Sequence, residues 1–174
     1  MGLKSDIRET TDYRKFKKIV QQVQSRLHID KDLAEAQSLH VGRSSRKLYG
    51  NKQYNPKALL DANMNDMAAR SRLVEIRVRC SIQIDVLHDA CKAMRAFMLT
   101  NFSAEIKKRF TTVGDRTAFM DTMIASALEI EREGQSLIAV LDTLIADIDK
   151  CSYHLRAVMD ALQLLSGSKA GTVI

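Results

Sequence analysis

Apolar residues recur at helical spacing along almost the whole of this chain. The longest run lies in the C-terminal third, where Met120, Met123, Ala127, Ile130, Gly134, Leu137, Leu141, Leu144, Ile148, Cys151, Leu155, Val158, Leu162 and Leu165 follow in steps alternating between three and four. Such a register specifies a left-handed helix pair or bundle. Ile124, Ile138, Ile145 and Met159 flank the seam at the following position, where a bare dimeric seam would carry charges. Three or more helices in contact are therefore expected. Gly134 occupies a seam position inside the helix, at a cost of about 1 kcal/mol in helix propensity relative to alanine, and a close helix crossing accounts for it.

From Lys57 to Phe110 the pattern is helical with no glycine or proline. One stripe takes Ala69, Leu73, Ile76, Cys80, Ile84, Leu87, Cys91, Met94 and Met98; a second takes Val74, Val78, Ile82, Val86, Ala90 and Phe97. Two adjacent stripes make a face wide enough for more than one neighbour. Asn101 to Ser103 mark a kink, with Ser103, Ile106 and Phe110 able to begin a short turn. Upstream, residues 12–28 carry Tyr13, Phe16, Ile19, Val20, Val23 and Leu27 at helical spacing behind Asp12 as a cap, and a further helix begins near Asp30. YGNKQYNP at 49–56 is the clearest break, and Pro56 fits the first helical position behind Asn55. TTVGD at 111–115 is a turn signal with Thr112 or Asp115 as cap.

The predicted fold is therefore all-α. A long antiparallel hairpin of residues 57–110 and 115–165 carries two shorter N-terminal helices in a coiled-coil-like bundle. The chain divides into a basic N-terminal segment and loop (1–56), the hairpin core (57–165) and a C-terminal tail (166–174), whose Thr172, Val173 and Ile174 either fray or dock on a partner. Helices of about 50 residues are on the order of 75 Å long. A pair so thin leaves apolar stripe uncovered, so a homo-oligomer or a larger protein complex is expected.

Charge changes this picture in one respect. Lys and Arg number 27 against 21 for Asp and Glu, a net +6, but residues 1–60 hold 13 basic and 6 acidic side chains whereas residues 115–174 hold 5 and 9. A basic N-terminal third favours polyanionic partners. The candidate polyanion-binding residues are Arg14, Lys15, Lys17 and Lys18 on the first amphipathic helix; Arg43, Arg46, Lys47 and Lys52, interleaved with Tyr49 and Tyr54, around the loop; and Arg70 and Arg77 on the long helix. Basic residues beside aromatics on a loop suit single-stranded DNA or RNA. Read as solvent-facing, Arg43, Arg46 and Lys47 should tolerate charge reversal without loss of helicity. Arg72 and Arg79 bracket Glu75 at helical spacing and form one surface network. Glu129, Glu131 and Glu133 are acidic partners for the basic residues.

Chemistry is otherwise sparse. The sequence has no phosphate-binding glycine loop, paired-histidine zinc motif, nucleophile elbow or calcium loop, and His28, His40, His88 and His154 are scattered. Neither a catalytic centre nor a cofactor, metal or small-molecule substrate is expected. Cys80, Cys91 and Cys151 read as buried free thiols in a reducing, cytoplasmic-type compartment. No run of 18 apolar residues exists, and the N-terminus lacks the apolar core of a secretory signal. Gly2 followed by Ser5 is a poor myristoylation start, since Asp6 holds the position where Ser or Thr belongs. The leading functional expectation is a non-enzymatic scaffold or adaptor subunit. A nucleic-acid-binding accessory factor of replication or recombination comes second, and a peripheral membrane-surface protein third, because the first helix is basic and amphipathic but short.

Overall fold

Pro56 at the first position of a helix, behind Asn55, begins the element on which the whole fold is organised. Asn55 Oδ1 accepts from the amides of Lys57 and Ala58 at 3.0 and 3.3 Å, and the helix then runs unbroken to Asn101. The structure is a computed structural model that describes residues 2–44, 46–50 and 53–170, with only the backbone of residues 44, 49, 50, 53 and 168–170. In chain order the elements are α1 (Leu3–Glu9), α2 (Thr11–Arg26), α3 (Ile29–Ser44), β1 (Tyr49–Gly50), β2 (Gln53–Tyr54), α4 (Pro56–Asn101), α5 (Ser103–Arg109), α6 (Val113–Met123) and α7 (Ala125–Ala170). The fold is all-α apart from β1 and β2, an antiparallel pair that opposes Tyr49 to Tyr54.

The elements group into two units, Met1–Ile29 with Arg79–Ile138, and Asp30–Val78 with Ala139–Ile174. In the first, α2 and the later part of α4 lie with the earlier part of α7. His88 on α4 meets Glu131 on α7 at 2.9 Å, and Arg95 meets Asp121 of α6 at 2.8 Å, so the partners retreat as α4 advances. Tyr13 of α2 donates its hydroxyl to the Met123 carbonyl at 3.2 Å. Thr10, not Asp12, caps α2: its hydroxyl accepts from the Tyr13 amide and donates to the Ile7 carbonyl. That second bond ties α2 to α1, a short helix with Leu3 and Ile7 buried. In the second unit, α3 and the β pair accompany the earlier part of α4 and the later part of α7. Arg70 meets Asp149 at 2.6 Å and Arg77 meets Asp142, again antiparallel. Leu59, Ala62 and Leu155 form a buried cluster packed by Leu48, Tyr54, Val158, Met159 and Leu162.

All nine residues of the first α4 stripe, Ala69 to Met98, are buried. The facing seam of α7 is buried at Ala127, Gly134, Leu137, Leu141, Ile148 and Leu155, half-buried at Ile130, Leu144 and Leu162, and exposed at Leu165.

The kink expected at Asn101 to Ser103 is a break at Phe102, whose ring packs edge-on to Phe97 with centroids 6.0 Å apart, and α5 follows as a separate helix. Three expectations need correcting. The 115–165 helix breaks at Ile124, whose fully buried side chain and non-helical backbone divide α6 from α7. Helix α7 continues past Leu165 to Ala170, because backbone hydrogen bonding is local and no proline stops it after the seam loses its cover. Thr172, Val173 and Ile174 lie outside the described residues. Cys151 is exposed, while Cys80 and Cys91 are buried; Cys151 lines a cavity with Lys150 and His154 of α7. Burial pushes the Cys91 thiol up to about 11, so it stays protonated at neutral pH.

Gly134 does mark a close crossing. A Cβ there would stand 2.3 Å from Ile84 Cδ1 and 2.8 Å from its Cγ1, and the Cys80 thiol donates to the Gly134 carbonyl at 3.6 Å. Gly134→Ala is expected to gain about 1 kcal/mol of helix propensity and to lose about 1–3 kcal/mol to overpacking. The net destabilisation should largely disappear in the Ile84→Ala background, where the blocking atoms are gone. Denaturant unfolding of the two single variants and the double closes the cycle, and strictly additive effects would refute the close approach.

Candidate functional site

In the second unit a carboxylate sits inside the helical seam. Counting back from Ala69 in steps of three and four reaches Asp66, Ala62 and Leu59, all buried, so Asp66 occupies a core position of α4. Its side chain is 1% exposed, and it survives there because two guanidinium groups reach it. Arg43, in the last turn of α3 and 8% exposed, places Nε 2.9 Å from Asp66 Oδ1 and Nη1 3.0 Å from Asp147 Oδ2 of α7. Arg46, just beyond α3, places Nη1 2.6 Å from the same Asp66 Oδ1 and 3.0 Å from the Ala62 carbonyl. Burial opposes the Arg43 charge, but the hydrogen bonds to Asp66 and Asp147 outweigh it and hold its pKa above the ordinary arginine value.

Beside this cluster lies a cavity of about 390 Å³, lined by Arg43, Arg46, Leu48 and Asp66 together with Lys150, Cys151, His154 and Leu155 of α7. The α7 contributors fall at helical spacing on one face, which is why one helix supplies them all. Lys150 and His154 are exposed and make no hydrogen bond or ion pair among the described residues. Asp66 Oδ2 is buried and has no hydrogen-bond partner among the described residues.

The remaining candidate cations divide into two kinds. Arg70 and Arg77 project toward α7 and form a ladder with Asp149 and Asp142, and each guanidinium has its pKa raised by those bonds. Arg72 bridges Glu35 of α3 at 2.5 Å and Glu75 at 2.8 Å. The acidic partners are thus Asp142, Asp149 and Glu35; of the three glutamates expected, Glu131 pairs with His88. Arg14, Lys15, Lys17 and Lys18, by contrast, are all exposed on α2 with no carboxylate partner among the described residues, and Lys47 is likewise exposed. Tyr54 is half-buried against the Leu59 cluster. Lys52 lies outside the described residues, and of Tyr49 only the backbone is described.

Arg43 and Arg46 are therefore not loop cations facing solvent, and reversing them would leave two acids buried against Asp66. Asp66 itself, with Asp147 and Lys150, was not among the expected site residues, and His154 was read only as one of four scattered histidines. The available signal was the seam arithmetic, which places a carboxylate where a hydrophobic residue belongs.

The first unit carries a different surface. Ile82 and Val86 of α4 are 53% and 46% exposed. Farther along the same stripe, Ala90 and Phe97 line an apolar groove of about 170 Å³ with Phe16 and Ile19 of α2. Helix α2 covers the stripe at its Phe97 end and leaves Ile82 and Val86 bare. Among the described residues no helix is long and apolar enough to cross a membrane. Comparison with family models, with curated proteins and with solved structures finds no match.

Proposed function

We propose that the chain is a non-enzymatic helical assembly subunit that associates with a second copy of itself through the second stripe of α4. The carrying observation is the exposure of Ile82 and Val86 in line with the groove of Phe16, Ile19, Ala90 and Phe97. β-Branched residues four apart on a helix form the kind of ridge that packs between the ridges of another helix. Singly exposed apolar residues need no explanation, but a stripe continuous with a groove is the mark of an interaction face. No nucleophile elbow, phosphate-binding glycine loop or paired-histidine zinc motif in the sequence favours a catalytic reading.

A second reading is favoured by one observation, the four exposed cations of α2 that have no carboxylate partner among the described residues. They would contact phosphates of a single-stranded nucleic acid, whereas Arg43, Arg46, Arg70 and Arg77 are engaged by carboxylates of the same chain.

Light scattering coupled to size exclusion separates the readings when paired with oligonucleotide anisotropy. The wild-type chain is expected to exceed its monomer mass of 19.6 kDa, and Ile82→Glu with Val86→Glu to return it to that mass with helicity unchanged. A wild-type mass of 19.6 kDa at every concentration would overturn the self-association reading. Anisotropy with a labelled single strand, lost at high salt and lost when the α2 cations are neutralised, would put the nucleic-acid reading first.

A further inference from the structure

Two features of the second unit's cavity are not explained by packing. Its donors outnumber what its own acids use: Arg43 and Arg46 are held by Asp66 and Asp147, and Lys150 and His154 then stand at the rim without partners among the described residues. At the same time one acceptor, Asp66 Oδ2, is buried and has no partner among the described residues, although its other oxygen takes two guanidinium bonds. A buried acceptor left unsatisfied is costly, more so when charged. A ligand that answers both features must bring negative charge to Arg46 and Lys150 and a hydrogen-bond donor to Asp66.

We propose that this cavity binds a protonated phosphate, either inorganic hydrogen phosphate or a phosphomonoester, with its oxygens accepting from Arg46 and Lys150 and its P–OH donating to Asp66 Oδ2. A metal cation would leave the cationic rim unanswered, and a simple carboxylate would bring no proton to Asp66. Sulfate has the same shape and nearly the same charge but carries no proton near neutrality, so it would set an oxygen lone pair against the Asp66 carboxylate. Discrimination between phosphate and sulfate is therefore the signature of this site, and a patch that merely collects anions lacks it. The volume of about 390 Å³ falls in the range of small-molecule pockets and leaves room for a substituent on the phosphate. The proposal does not depend on the assembly reading.

The test is calorimetric titration of the full chain with inorganic phosphate, phenyl phosphate and sulfate at about pH 6, where a phosphate monoester keeps a substantial protonated fraction. The expected result is phosphate binding at least about tenfold tighter than sulfate, the scale of one hydrogen bond to a charged group. Phenyl phosphate bound as tightly as inorganic phosphate assigns the site to esters, and its exclusion assigns the site to the free anion. Asp66→Asn is the direct variant, but it disturbs the arginine pair and threatens the fold. Lys150→Ala lies on an exposed position and is expected to weaken phosphate about tenfold with unchanged helicity and melting. Equal binding of sulfate and phosphate, no binding of any of the three, or wild-type affinity in Lys150→Ala would each overturn the proposal.

Discussion

Leu141→Asp is expected to abolish cooperative thermal unfolding of the second unit. Leu141 is fully buried, in the middle of the α7 seam and one residue before Asp142, the ladder partner of Arg77. Truncating such a leucine to alanine costs about 2–5 kcal/mol, and placing a carboxylate in the cavity without a cation adds the desolvation of an unpaired charge. Together these approach the whole stability of a domain, about 5–15 kcal/mol. The matched control is Leu165→Asp, at another seam position but 64% exposed, where a change within about 0.5 kcal/mol is expected. Far-UV circular dichroism melts of the two variants measure the contrast. A Leu141→Asp protein that melts like wild type would mean that the buried seam does not hold α4 and α7 together.

The second large effect is expected at the charged core. Changing Arg43 or Arg46 alone leaves Asp66 with one guanidinium, so each single variant should be modest. Changing both to methionine leaves a carboxylate at 1% exposure with no cation, and breaking a buried pair in this way costs about 3–5 kcal/mol. Adding Asp66→Leu to the double variant should recover most of that loss, because the fully apolar replacement of a buried ion pair is commonly neutral or stabilising. Denaturant midpoints across this series decide the matter. A double variant as stable as wild type would show that the cluster contributes nothing to the fold, and failure of Asp66→Leu to rescue it would show that the arginines act through something other than Asp66.

The helical pattern was legible because apolar spacing is a local property. Every residue of the stripe from Ala69 to Met98 proved buried, Asn55 and Pro56 start α4 as their chemistry requires, and Gly134 signals a close approach by having no side chain. The charged core was not legible for the opposite reason. Arg43 meets Asp66 across 23 residues of chain and Asp147 across 104, and a basic residue beside a turn looks the same whether it faces water or a buried acid. Asp66 breaks the apolar pattern, so tracing the stripe by hydrophobicity stops at Ala69, although continuing the count in threes and fours would have exposed it. The break at Phe102 was legible as the kink at Asn101 to Ser103, but the one at Ile124 was not, since it contains neither glycine nor proline. It arises where a bulky side chain is drawn from the helical path into packing, a tertiary choice that local propensity does not encode.

The ladder of Arg70 with Asp149 and Arg77 with Asp142 has a consequence for how the second unit reaches its native pairing. Its rungs are seven residues apart on both helices, the same as the repeat of the apolar seam. Sliding α7 by one heptad would still set Arg77 against Asp149 or Arg70 against Asp142, and would still bring leucines and isoleucines to the seam. Neither the ladder nor the hydrophobic repeat therefore distinguishes the native alignment from its shifted copies. Asp66 does, since only one alignment places it where Arg43 can also reach Asp147. A single polar group at a core position is a known way of fixing register at some cost in stability. The apolar triple variant is expected to keep its stability but to lose this check on alignment within the second unit, where the ion cluster does what the close approach of Gly134 to Ile84 does in the first.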